Sequence, residues 1–274
     1  MLACAPDPEW DGDRYEITYM SGDAFPQRAP LVVAASAVRL EQAGPVRSFG
    51  SHRGQRNFPG LWWSATSGRH VGFESWLERD HGMLLDFDPE VVGFAAQPFR
   101  LSWPGAGRSR SHVPDFFARL DDGTGVVVDC RPEDRVGDAD AEVFRVTERA
   151  CAIVGWSYRL VHAPDKVVVS NVRWLAGYRH PRCYRPEVAE RLAEVFARPA
   201  QLLAGAAEVG DPVGTLPVTY HLLWRGRLKV NLAVALDENS FVSAPDRSPG
   251  THRKNLRGRT DRLGVGTQST RNGG

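Results

Sequence analysis

His112-Val113-Pro114-Asp115-Phe116-Phe117-Ala118-Arg119-Leu120-Asp121-Asp122-Gly123-Thr124-Gly125-Val126-Val127-Val128-Asp129-Cys130-Arg131 reads as two strands and the turn between them. Pro114 to Leu120 is the first strand, Asp121-Asp122-Gly123 the hairpin turn, and Gly125 to Cys130 the returning strand. Asp115 begins the first strand and Asp129 comes near the end of the second. A turn midway between them brings both carboxylates to one end of the sheet. Arg131 follows Asp129 by two residues, and the two-residue period of a strand puts both side chains on one face. A charge that ends the apolar run Val126-Val127-Val128 is costly unless it is paired or metal-bound. Asp129 therefore stands out among the acids of the chain.

Upstream, Phe73 to Leu85 (FESWLERDHGMLL) carries apolar residues at helical spacing, with Glu74 and Glu78 four apart on one helical face. Val91 to Trp103 predicts a strand and Pro104 to Arg110 a turn. Downstream, Ala139 to Val154 predicts a helix stopped by Gly155, followed by short strands at Ser157 to Val161 and Lys166 to Val169. Residues 37–182 thus form one α/β unit, a mixed sheet flanked by helices. Carboxylates from separate elements, joined by a cation, make the hard-oxygen site that Mg²⁺ or Mn²⁺ prefers. Histidine or thiolate ligands would select softer metals. Such ions polarise a phosphodiester and lower the pKa of a bound water. Taken singly, each of these acids also reads as an ordinary solvated surface group.

The flanking regions differ. Residues 1–36 lack sustained periodicity and are expected to be irregular. Residues 183–244 carry an amphipathic helix opened by Pro186, two further helices near Gln201 to Val209 and Val213 to Leu223, and two strand-like runs. Three helices and a hairpin predict a winged-helix-like module; the hairpin serves equally as a dimerisation flap. Residues 245–274 are rich in Gly, Arg, Ser and Thr and read as a disordered basic tail. Formal charge is +1 overall, but Asp246 to Gly274 holds seven Lys/Arg against two Asp, leaving the remainder acidic. Gln42 to Phe73 has Arg47, Arg53, Arg56, Arg69 and two histidines without an acid. Local basic segments neutralise DNA phosphates even when total charge is near zero; a solvated tail is the alternative. The four cysteines form no CxxC pair, and reduced thiols point to the cytoplasm. No run approaches the roughly 20 apolar residues of a membrane span. His112 reads as a strand-edge residue or a phosphate contact, and Trp62-Trp63 as core, with stacking on a base the alternative.

Together these residues resemble a known family. A helix Glu, then Pro-Asp, then an acid two residues before a cation is similar to the restriction-endonuclease, PD-(D/E)xK site. The wider text resembles the TnsA-like endonuclease subunits of heteromeric transposases over residues 60–180: Ser75-Trp76-Leu77-Glu78, Asp86-Phe87-Asp88, Gln97-Pro98-Phe99 and His112-Val113-Pro114-Asp115-Phe116. The resemblance implies catalytic roles for Glu78, Asp115, Asp129 and Arg131. It implies two Mg²⁺ or Mn²⁺ ions held by Glu78, Asp115, Asp129 and the Cys130 main-chain carbonyl, with Glu74 a further candidate. It implies double-stranded transposon-end DNA as substrate, and a separate transposase subunit and an ATPase regulator as partners. Arg131 departs from the family's lysine; guanidinium keeps its proton at any working pH, so it cannot be a general base. It can still stabilise a developing oxyanion. A stand-alone nuclease of this fold, and a degenerate DNA-binding scaffold, remain the competing expectations.

Overall fold

Side-chain alternation along the hairpin decides where the core lies. The computed structural model describes residues 14–22, 25–48, 58–105 and 107–245. The chain divides into two compact units, Met1–Val161 and His162–Gly274. The first contains, in order, β1 (Glu16–Met20), β2 (Pro26–Pro30), α1 (Leu31–Ala37), β3 (Gly60–Ser64), β4 (Arg69–Phe73), α2 (Trp76–Phe87), β5 (Val91–Ala96) and β6 (Phe99–Pro104). It continues through β7 (Ser109–His112), β8 (Phe116–Leu120), β9 (Gly125–Cys130), α3 (Asp138–Ile153) and β10 (Ser157–Val161). The unit is mixed α/β.

Its central sheet has the order β10-β9-β8-β5. β5, β8 and β9 are antiparallel neighbours, and β10 lies parallel to β9 after the α3 crossover that a parallel pair requires. Phe117 and Val127 join one core with Val146, Ala150 and Cys151 of α3, Trp156, and Ile17 and Phe99 of the second sheet. Phe116, Ala118, Val126, Val128 and Cys130 join the other core with Phe94, Ala96 and Leu85 of α2. The hairpin is therefore buried on both faces, which is why Val126 to Val128 is a continuous apolar run rather than an alternating one. Gly123 (φ 87°) makes the turn and Gly155 (φ 72°) ends α3, both in the left-handed region where a Cβ is unfavourable.

The second sheet, β2-β1-β6-β7, corrects the expectation of an irregular segment over residues 1–36 for the part that is described, residues 14–22 and 25–36. β1 pairs with β6, eighty or more positions away (Tyr19↔Phe99 to Glu16↔Ser102), and so long-range a partner leaves no local periodicity to read. The single strand expected over Val91 to Trp103 is two strands that enter different sheets. The chain bends between them at Gln97, a non-glycine residue with φ 48°. The helix expected from Phe73 begins at Trp76, because Arg69–Phe73 pairs with β3 and Ser75 caps the helix.

The second unit holds α4 (Lys166–Ala176), α5 (Pro186–Val195), β11 (Ala200–Gln201), α6 (Leu202–Val209), α7 (Pro212–Trp224), β12 (Lys229–Val230) and β13 (Phe241–Ser243). Its sheet order is β11-β13-β12. The strand expected at Lys166 to Val169 is instead the first turn of α4. The Asp165 carboxylate accepts the Val167 and Val168 N–H groups, and that cap overrides the β preference of a valine run. With α4 in the second unit, the break falls at Val161/His162 rather than at the composition change near residue 183. The basic tail from residue 246, together with Arg53 and Arg56, lies outside the described residues.

Candidate active site

β8 and β9 pair through Phe116↔Val128, so Asp115 and Asp129 stand one step beyond, facing each other across the end of the ladder. The Asp115 N–H donates to Asp129 Oδ1 at 3.3 Å, and the Cys130 N–H donates to Asp115 Oδ2 at 2.7 Å. The expected convergence of the two hairpin acids is thus what the ladder register produces. Both line a cavity of about 570 Å³, shared with Glu74, Glu78, His112, Cys130 and Arg131. Arg47, Arg100 and Arg135 line it too. All five residues of the expected ligand set are therefore brought to one cleft.

The carboxylates there are under electrostatic load. Burial, then the charges of Asp129 and Glu78, push the Asp115 carboxyl up to about 8, while the Cys130 N–H and Arg131 pull the other way. Burial also raises Glu78, against hydrogen bonds from the Glu74 N–H and the Ser75 hydroxyl. Those bonds are a capping box: Glu78 accepts from Glu74 N–H at 2.7 Å and Ser75 Oγ at 2.8 Å, and the Glu78 N–H donates to Ser75 Oγ at 3.2 Å. Glu78 thus caps α2 and faces the cleft with one side chain.

Glu74 is already paired where it lines the cleft. Its Oε2 accepts from Arg47 at 2.6 Å and from Gln97 Nε2 at 3.1 Å. Asp129, 3% exposed, is held by His112 Nε2 at 2.9 Å and by the Tyr158 hydroxyl at 2.8 Å. A carboxylate accepts, so in this pairing Nε2 is the donor. Burial and the neighbouring Asp129 charge raise the Tyr158 phenol, which keeps it a donor. His112 ends the edge strand β7, as expected, and from there it also supports Asp129. Tyr158 is not flagged by residue spacing, and Gln97 enters the sequence reading only as part of the Gln97-Pro98-Phe99 motif. Tyr158 reaches Asp129 only because β10 lies parallel beside β9 with Tyr158↔Val127 in register.

The donors fit a hard divalent cation in type and charge: all are oxygens, and the like charges around Asp115 lack full compensation. They do not form a finished cage. Among the described residues, no three His, Cys, Asp or Glu side chains are placed to hold one ion together. The hydrogen bonds of Glu78 to Ser75 and of Asp129 to His112 and Tyr158 account for this, since each directs a carboxylate toward a protein donor. Trp62 is half-buried against the second core, where its Nε1 donates to Asp86 at 3.0 Å. Among the described residues no helix is long and apolar enough to cross a membrane. No protein-family model and no curated protein matches the chain.

Proposed function

We propose that the chain is a Mg²⁺- or Mn²⁺-dependent DNA endonuclease with a restriction-endonuclease-like first unit. By its motifs it would act as the TnsA-like cutting subunit of a heteromeric transposase on duplex transposon ends. The observation that carries the reading is the meeting of Asp115, Asp129, Arg131 and Glu78 in one cleft at the end of the β8–β9 pair. A mixed sheet with a helix on each face agrees with the fold that the motifs imply. In the second unit, helices α5 to α7 and the β12–β13 pair support a winged-helix-like module. A transposase partner and an ATPase regulator rest on the motif resemblance alone.

A bound divalent cation would supply Lewis-acid polarisation of the phosphodiester and acidify a bound water. Glu78, Asp115, Asp129 and the Cys130 carbonyl are the residues that would hold it, with Glu74 a further candidate at the same cleft. The chain's own contribution is then specific. A cation held there would favour the ionised form of Asp115, because it would offset the burial and repulsion that raise its carboxyl. His112 and Tyr158 hold Asp129 in one orientation. Arg131 places a permanent positive charge beside the reacting phosphate and neutralises the developing oxyanion. Arg47, Arg100 and Arg135 draw the DNA backbone to the cleft.

One observation favours a second reading. Every one of Glu78, Glu74 and Asp129 already has protein donors, and no ready-made ion cage is present among the described residues. A DNA-binding scaffold that retains the fold without cutting would look like this. Nicking of supercoiled plasmid or a transposon-end duplex, with Mg²⁺ or Mn²⁺ and the partner transposase supplied, separates the two. The endonuclease cuts and Asp115→Ala does not. A chain that binds DNA but leaves it intact under every metal is the scaffold.

A further inference from the structure

Gln97 stands at the break between β5 and β6 and carries two unfavourable features at once. Its backbone is left-handed at φ 48°, a conformation that penalises any residue with a Cβ. Its side chain is in a residue only 1% exposed, and among the described residues nothing donates to its Oε1. A glycine would remove both costs. Costs of this kind persist where the surroundings over-determine them, and they gather at functional sites. What the conformation achieves is visible in its bonds. The Gln97 N–H donates to the Asp115 carbonyl at 2.9 Å, and the Gln97 carbonyl accepts the Val46 N–H at 2.9 Å, one residue before Arg47. Its Nε2 donates to Glu74 Oε2 at 3.1 Å, the same oxygen that Arg47 grips. One residue thus ties the Asp115 strand, the Glu74 turn and the Arg47 segment together.

We propose that Gln97 is a positioning residue of the cation site, holding the Glu74 carboxylate against the cleft at a fixed distance from Asp115. The inference rests on the nuclease reading above. Arg47 alone would not suffice for this task, because its exposed guanidinium is drawn away by any DNA phosphate that enters. Gln97 is neutral and buried, so its grip on Glu74 persists when the phosphate arrives.

The test is Mn²⁺ binding to the full chain without DNA, followed by loss of the free-ion paramagnetic signal, alongside thermal melting. Gln97→Asn and Gln97→Gly both accept the left-handed backbone, and neither reaches Glu74. Both are expected to melt at or above the wild-type temperature while binding Mn²⁺ about tenfold more weakly, the scale for losing a residue that orients a ligand. Glu74→Gln should weaken binding similarly, and Gln97→Asn added to Glu74→Gln should cost less than about twofold more. Gln97→Asn binding Mn²⁺ as wild type does, or a fully additive double variant, overturns the role. A wild-type chain that binds no Mn²⁺ overturns the nuclease reading and this inference with it.

Discussion

Two aspartates of the first unit, one buried and one half-buried, have opposite surroundings. Asp86, at the end of α2 and 4% exposed, accepts from Trp62 Nε1, Ser64 Oγ and the Ala65 and Thr66 N–H groups at 2.8–3.0 Å. Its charge is spent on pinning the β3–β4 hairpin to the helix. Asp115 accepts one backbone N–H and has Arg131 nearby, yet burial and the charges of two more carboxylates push it up to about 8. A buried acid surrounded by donors is a structural anchor. One surrounded by acids calls for a proton or a cation, and that difference marks the cleft as the place where chemistry is expected.

The widest test of the contrast is loss of each carboxylate in turn. Asp115→Ala should reduce metal-dependent cleavage by on the order of a thousandfold or more, with folding intact in denaturant titration. Asp86→Ala should do the reverse. It leaves several buried donors unpaired, at about 3 kcal/mol or more of stability, with cleavage per folded molecule retained. If both variants merely unfold, or both merely lose activity, the distinction collapses.

Arg131 comes next. Arg131→Ala should slow cleavage about a hundredfold, the scale for one transition-state donor, and Arg131→Lys should keep most of the rate. Equal rates for wild type and Arg131→Ala would make this exposed side chain a surface residue. The smallest expected effect is in pH. Unfolded Asp ionises near 3.9 and folded Asp115 near 8, so the native state binds that proton more tightly. Its stabilising contribution is complete below about pH 4 and is lost progressively as pH rises to about 8. Asp115→Asn lacks the loss, so the stability of the variant relative to wild type should grow from pH 5 to pH 8 in urea unfolding. Mg²⁺ should shrink that gap at pH 8, and no change with Mg²⁺ would detach Asp115 from cation binding.

Local sequence was enough for much of this protein. The hairpin, its turn at Gly123, α3 and its stop at Gly155, and the proline-opened α5 all depend on periods of two or 3.6 and on glycine and proline geometry, which neighbouring residues encode. The meeting of Asp115 and Asp129 follows from the same hairpin, because equal strand lengths about one turn leave little choice of register. Elements with distant partners were not legible. β1 has its partner in β6, and α4 owes its helix to Asp165 rather than to its valines. The state of the cleft acids was decided only in three dimensions. His112, Tyr158 and Gln97 come from three strands or strand breaks, and their grip on Asp129 and Glu74 depends on strand order and on one left-handed residue. Hydrogen bonds act over about 3 Å of space and take no account of chain separation. A sequence therefore displays which acids are available, while the fold determines which of them are left without donors.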